Sequence, residues 1–175
     1  MKRSLVRLLA GCGLALGVVA LSWSFVRGAD KDRPDEAAVE RAREKVKMLD
    51  DLYKGFVVNI TEVYVRAQEK TPAARVAKRV FKHMSAQGWH TGRLIDTTGE
   101  PINRDNAPQA GFETEAVAKL KAGKTYYEEI ARRDGKPVLR AATAVPVVMK
   151  ACIACHPGTK EGQLIGALVY EVPIK

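Results

Sequence analysis

"GKPVLRAATAVPVVMKACIACH", residues 135–156, holds the two features on which the fold turns. Its first half follows Asp134-Gly135, a pair suited to a tight two-residue hairpin turn, and runs back along "KTYYEEIARR" (124–133). Pro146 cannot donate to a ladder and ends that second strand. "VVMKACIACH" (147–156) then reads as a short helical segment, and "PGTKEGQ" (157–163) as a loop. "LIGALVYEVPIK" (164–175) alternates well enough for a final strand. A hairpin followed by a returning strand points to an antiparallel sheet.

Upstream, the pattern is helical. Val39, Ala42, Val46, Leu49, Tyr53, Phe56, Ile60 and Val63 are spaced alternately three and four apart, a heptad seam. Leu52, Val57 and Val58 widen the stripe, so the second half is expected to pack on the domain core. The first half is charged off the seam and is suited either to a dimer stalk or to a helix lying along its own domain. "KTPAARVAKRVFKHMSAQG" (70–88) is a second helix, with Thr71 as N-cap, Pro72 as first residue and Gly88 as stop. Its apolar face is Ala73, Val76, Ala77, Val80, Phe81 and Met84, with His83 at the flank. "WHTGRLIDTTGEP" (89–101) is a strand and turn, "INRDNAPQAGF" (102–112) a polar loop, and "ETEAVAKLKAG" (113–123) a short helix. The class is α+β, with an antiparallel sheet and helices largely on one side.

Cys152, Cys155 and His156 form C-x-x-C-H. Three chemistries share that spacing. A redox dithiol normally follows a first strand in a βαβ setting, whereas this pair precedes the last strand. A structural zinc site needs four ligands, and only His83 and His90 remain, neither at finger spacing. Covalent haem attachment needs two thiols on one helical turn, an imidazole directly after them, and export; all three are readable here. One motif implies one haem c, with Cys152 and Cys155 as thioether links and His156 as the proximal iron ligand. The distal position is left among Met84, His83, His90 and an open or water-bound iron, with Met48 and Met149 ranked lower. Arg93 and Arg140 are candidates for the propionates, and Trp89, Tyr126 and Tyr127 for the cavity wall.

Residues 1–28 read as a leader: "MKRSLVR" is basic, and "LLAGCGLALGVVALSWSFV" is a run of 19 uncharged residues. A signal peptide cleaved after Gly28, an uncleaved anchor, and a lipoprotein box at "LAGC" (9–12) all fit. Each places the rest outside the cytoplasm, in the bacterial periplasm, with membrane contact only if the leader is retained or lipidated. A linker is expected over 29–38 and the haem domain over 39–175. The chain's formal charge is +9, and without the four leader cations it is +5. No Lys/Arg stripe interleaves with aromatics, so nucleic acid is not an expected partner, while an acidic protein partner is favoured.

Four stretches, "LYKGFVVNITEVYV", "GWHTGRLIDTTGEPINRDNAP", "GKPVLRAATAVPVVMKACIACH" and "IGALVYEVPI", resemble a known family. It comprises the PAS-like c-type haem domains, found as a small haem protein in cyanobacteria and as sensor domains in other bacteria. The resemblance covers about residues 49–175. It implies a PAS-like antiparallel sheet with N-terminal helices packed on it and one covalently bound haem, held by Cys152, Cys155 and His156. The cyanobacterial member also ligates iron with a cysteine from an N-terminal-side helix. This chain has no cysteine between Asp30 and Ala151, so that ligand is missing unless another chain supplies it; the corresponding helix is taken as the one bearing His83 and Met84. The expected role is a non-enzymatic redox or ligand-sensing module that signals to a partner protein or through a homodimer of the first helix. The alternative is an electron-transfer cytochrome.

Overall fold

The computed structural model describes residues 33–67 and 73–175. The leader with Cys12, the part of the linker before Arg33, and the helix start expected at Thr71-Pro72 lie outside the described residues. Among those described, no helix is long and apolar enough to cross a membrane.

Helix α1 spans Glu36–Arg66. Asp35 caps it, its carboxylate accepting the Ala38 amide at 3.2 Å. The helix thus begins inside the expected linker 29–38, which ends at Asp35. Its buried residues are Ala38, Val39, Ala42, Val46, Leu49 and Tyr53, packed with Leu139, Ala141, Leu168, Tyr170 and Val172 of the sheet. Of the two readings of the first half, a helix lying along its own domain is the one found, and the packing expected of the second half is only partial. The first half, read as a possible dimer stalk, has its seam covered by this domain's own sheet. In the second half Phe56 and Val57 are partly buried, while Leu52 and Val63 are each 60% exposed. Spacing identifies the stripe; what covers it depends on where an apolar sheet face stands.

Helix α2 (Ala73–Ala86) buries Ala73, Ala77 and Phe81, the last two within the same cluster. Strand β1 is Thr91–Asp96, and helix α3 is Phe112–Lys121. Strands β2 (Tyr126–Arg133) and β3 (Lys136–Pro146) form the expected hairpin. Asp134 and Gly135 both have positive φ, 50° and 74°, as a type I′ turn requires. Helix α4 is Lys150–Cys155 and strand β4 is Leu164–Pro173. The sheet order is β1-β4-β3-β2, antiparallel throughout.

Helices α1 and α2 share one face of this sheet, as expected, and α3 covers the other. Leu139, Ala141, Leu168, Tyr170 and Val172 face α1 and α2, whereas Ala142, Ala167 and Val169 face Phe112, Ala116 and Leu120 of α3. The reason lies in β3 and β4. "VLRAATAV" and "ALVYEV" are nearly continuous in apolar residues, so each strand has two faces to bury. At their junction with β1 the strands approach closely. A Cβ on Gly166 would stand 2.9 Å from the Ile95 carbonyl oxygen, so only glycine fits there.

The register of β3 on β4 shifts between Val145 and Pro146. This bulge, with the missing proline donor, turns the chain out of the sheet. Val147 then bonds the following loop in both directions, its amide to Gln163 O at 2.9 Å and its carbonyl to Gly162 N at 2.8 Å. Helix α4 is set by this exit from β3.

Candidate functional site

Helix α4 is one and a half turns long and carries Cys152 and Cys155, both free, with His156 as its C-cap. The His156 amide donates to Cys152 O at 3.0 Å, and Thr159 Oγ1 donates to His156 O at 2.7 Å. The three motif side chains line one cavity of about 190 Å³. Its walls come from five further elements. Lys54, Val57, Val58 and Thr61 belong to α1, and Ala73 and Ala74 to α2. Leu94 of β1, Val145 of β3 and Leu168 of β4 are on the sheet face that α1 covers. Burial pushes the His156 imidazole below its usual range, opposed in part by the negative charge of Asp96, so the ring favours the neutral form that donates to a metal. Cys155 is exposed and Cys152 half-buried, so the motif spans the cavity and its rim.

The distal candidates from the sequence do not meet the motif. His83 is exposed, and Met84 is half-buried and absent from the cavity lining. His90 is 5% exposed, and its Nε2 is hydrogen-bonded to Tyr53 Oη at 2.9 Å. It lines a different pocket, with Ser85, Gly88 and Arg133. The propionate candidates are engaged elsewhere. Arg93 pairs with buried Glu113 at 2.9 Å and donates to the Asp105 and Ala107 carbonyls. Arg140 pairs with Glu129 at 3.1 Å and lies over the Phe112 ring. Trp89 is 66% exposed. Tyr126 bonds Glu128, and Tyr127 stacks on Phe112 on the α3 side. None of the three lines the motif's cavity.

Sequence reasoning passed over Lys54 and Thr61. The available signal was spacing: Lys54, Val57, Val58 and Thr61 stand at i, i+3, i+4 and i+7, one helical face. Among the described residues no three His, Cys, Asp or Glu side chains converge to hold a metal ion directly, so the zinc alternative has no donor set there.

A family described as Tll0287-like matches residues 31–173. The chain belongs to the Tll0287-like family. A solved structure, the crystal structure of the cyanobacterial haem protein Tll0287, aligns with a TM-score of 0.55 at 12% identity. The alignment covers 79% of this chain and 96% of that one. A search of curated proteins gave no match. At that identity the structural likeness speaks for the fold, and it agrees with the PAS-like family expected from the four sequence stretches. In this Tll0287-like domain, C-x-x-C-H sits between the central strands β3 and β4 in sequence and beside α1 in space.

Proposed function

We propose that this domain binds one haem c, joined by thioethers to Cys152 and Cys155 with His156 as axial ligand, and acts outside the cytoplasm as a redox or ligand-sensing module. The observation that carries the reading is the convergence of all three motif side chains on one cavity walled by Val57, Val58, Val145, Val148, Ile165 and Leu168. The donor set fits the group. Two free thiols lie one helical turn apart, an imidazole held toward its neutral form follows directly, and the surrounding surface is apolar. At about 190 Å³ the cavity is smaller than the ~300 Å³ at which ligand sites ordinarily begin, so a group anchored at exposed Cys155 would extend past the rim. The namesake of the family is itself a cyanobacterial haem protein, which supports the same cofactor here.

The bound haem would supply one-electron chemistry and a site for small ligands. This chain's residues would anchor it, exclude water from its apolar face through Val57, Val58 and Leu168, and set its axial field through His156. Exposure of Cys155 favours a second reading, electron transfer, because an edge at the surface can exchange electrons with a docked partner. The role is proposed as non-enzymatic in either case.

In Cys152→Ala/Cys155→Ala, haem-dependent peroxidase staining should disappear from the band after denaturing electrophoresis while the wild-type band keeps it. Staining that persists in the variant, or is absent from the wild type, ends the covalent reading. Carbon monoxide then separates the roles. A reduced spectrum that shifts with the gas supports ligand sensing, and one indifferent to it supports electron transfer.

A further inference from the structure

The cavity contains one strong donor that the motif does not supply. Among the described residues lining it, the atoms that can offer iron a lone pair are the two thiols, the His156 imidazole, the Thr61 hydroxyl and, once its ammonium gives up a proton, the Lys54 nitrogen. The thiols are used as thioethers under the proposed function, and a neutral hydroxyl is a weak ligand. That leaves Lys54, which is on the wall formed by α1 rather than on α4.

Lys54 has another partner, and that partner does not depend on it. Its Nζ lies 2.8 Å from Asp50 Oδ2, one turn earlier on α1. Asp50 is also held by the sheet. Thr143 Oγ1 donates to its Oδ1 at 2.5 Å and Tyr170 Oη at 3.0 Å. If Lys54 leaves, the carboxylate keeps two hydrogen bonds and is not stranded. The lysine stem carries four methylenes, so its head can turn between two sites from one fixed Cα.

We propose that Lys54 is the sixth ligand of the iron, and that it exchanges its ion pair with Asp50 for the metal. This inference rests on the haem reading above. In the exchange the Nζ lone pair forms the bond to iron and the ammonium proton passes to water; no electron is transferred. Asp50 stays in place on Thr143 and Tyr170, ready to take the lysine back when another ligand displaces it.

The test uses the full-length holo-protein, grown with lysine labelled with nitrogen-15. Pulsed paramagnetic resonance of the oxidised protein should show a low-spin iron with a nitrogen-15 coupling, and Lys54→Ala should lose both the coupling and the low-spin signal. Lys54→Arg keeps the charge beside Asp50 but stays protonated, so it should lose them as well. It also serves as the control should the alanine variant fail to fold. A high-spin wild type, a wild type without the coupling, or either variant retaining the wild-type signal overturns the proposal. The last result is what a lysine serving only a propionate would give. Haem staining of the same samples separates the two levels. Stained wild type without the coupling removes Lys54 alone, and unstained wild type removes the haem reading together with it.

Discussion

Tyr53 stands where three elements meet. Its ring is edge-on to Phe81 of α2 at 4.8 Å and stacked with Tyr170 of β4 at 6.4 Å, and its hydroxyl reaches His90 just before β1. Burial pushes the phenol up and the His90 imidazole down. A histidine depressed by folding binds fewer protons in the native state than in the unfolded state, so its share of stability is present above the ordinary value of about 6.5 and is lost as pH falls toward the native value. Urea unfolding of wild type and His90→Gln at pH 7.5, 6.5 and 5.5 checks this. The wild type should lose stability relative to the variant on acidification, and parallel pH profiles would refute it. Residue chemistry was legible in the sequence where it is local. C-x-x-C-H needs no knowledge of the fold, and the three side chains meet one cavity. The distal candidates were not legible in that way. His83, His90 and Met84 are the usual kinds of iron ligand, but which side chain meets the cavity is decided by how α1 lies on the sheet, and that turns Lys54 inward and leaves His90 on Tyr53.

The element that most separates pattern from outcome is α1. Its seam was readable, residue for residue, through Tyr53, and so was its helicity, but the 3-4 spacing is the same for a coiled coil and for a helix on a sheet. The deciding fact is the apolar face formed by Leu139, Ala141, Leu168, Tyr170 and Val172. Val46, 1% exposed, lies within that contact, while Leu52 on the same helix is 60% exposed. Val46→Asp would bury an unpaired charge and should cost about 4 kcal/mol or more, and Leu52→Asp should stay within about 0.5 kcal/mol. Thermal melts of the two variants check this. A stalk would respond differently, with Val46→Asp changing the mass of the particle and leaving the melting point of the domain alone. The hairpin was fully legible because Asp134-Gly135 is a local device with a fixed geometry. The covering of both sheet faces was not, since α3 has no strongly marked stripe, and only the continuous apolar runs of β3 and β4 announced a second face to fill.

At the scale of the molecule, the order β1-β4-β3-β2 puts the last described strand in the middle of the sheet. Strand β4 pairs with β1 on one side and β3 on the other, and it contributes to both apolar clusters. Without it, β1 has no partner and the β2–β3 hairpin stands alone, a unit that is marginal by itself in water. A chain stopped after Gln163 should therefore alkylate at Cys152 as fast as in urea, whereas the full apo chain should protect it; equal rates in both native chains would contradict this. The same arrangement decides when the site closes. Ile165 and Leu168 of that strand are walls of the cavity, so a chain in which Leu164–Pro173 has not yet seated between β1 and β3 has both thiols and no pocket around them. An unfolded chain offers Cys152 and Cys155 unobstructed, whereas in a folded one a group must be attached between walls already standing.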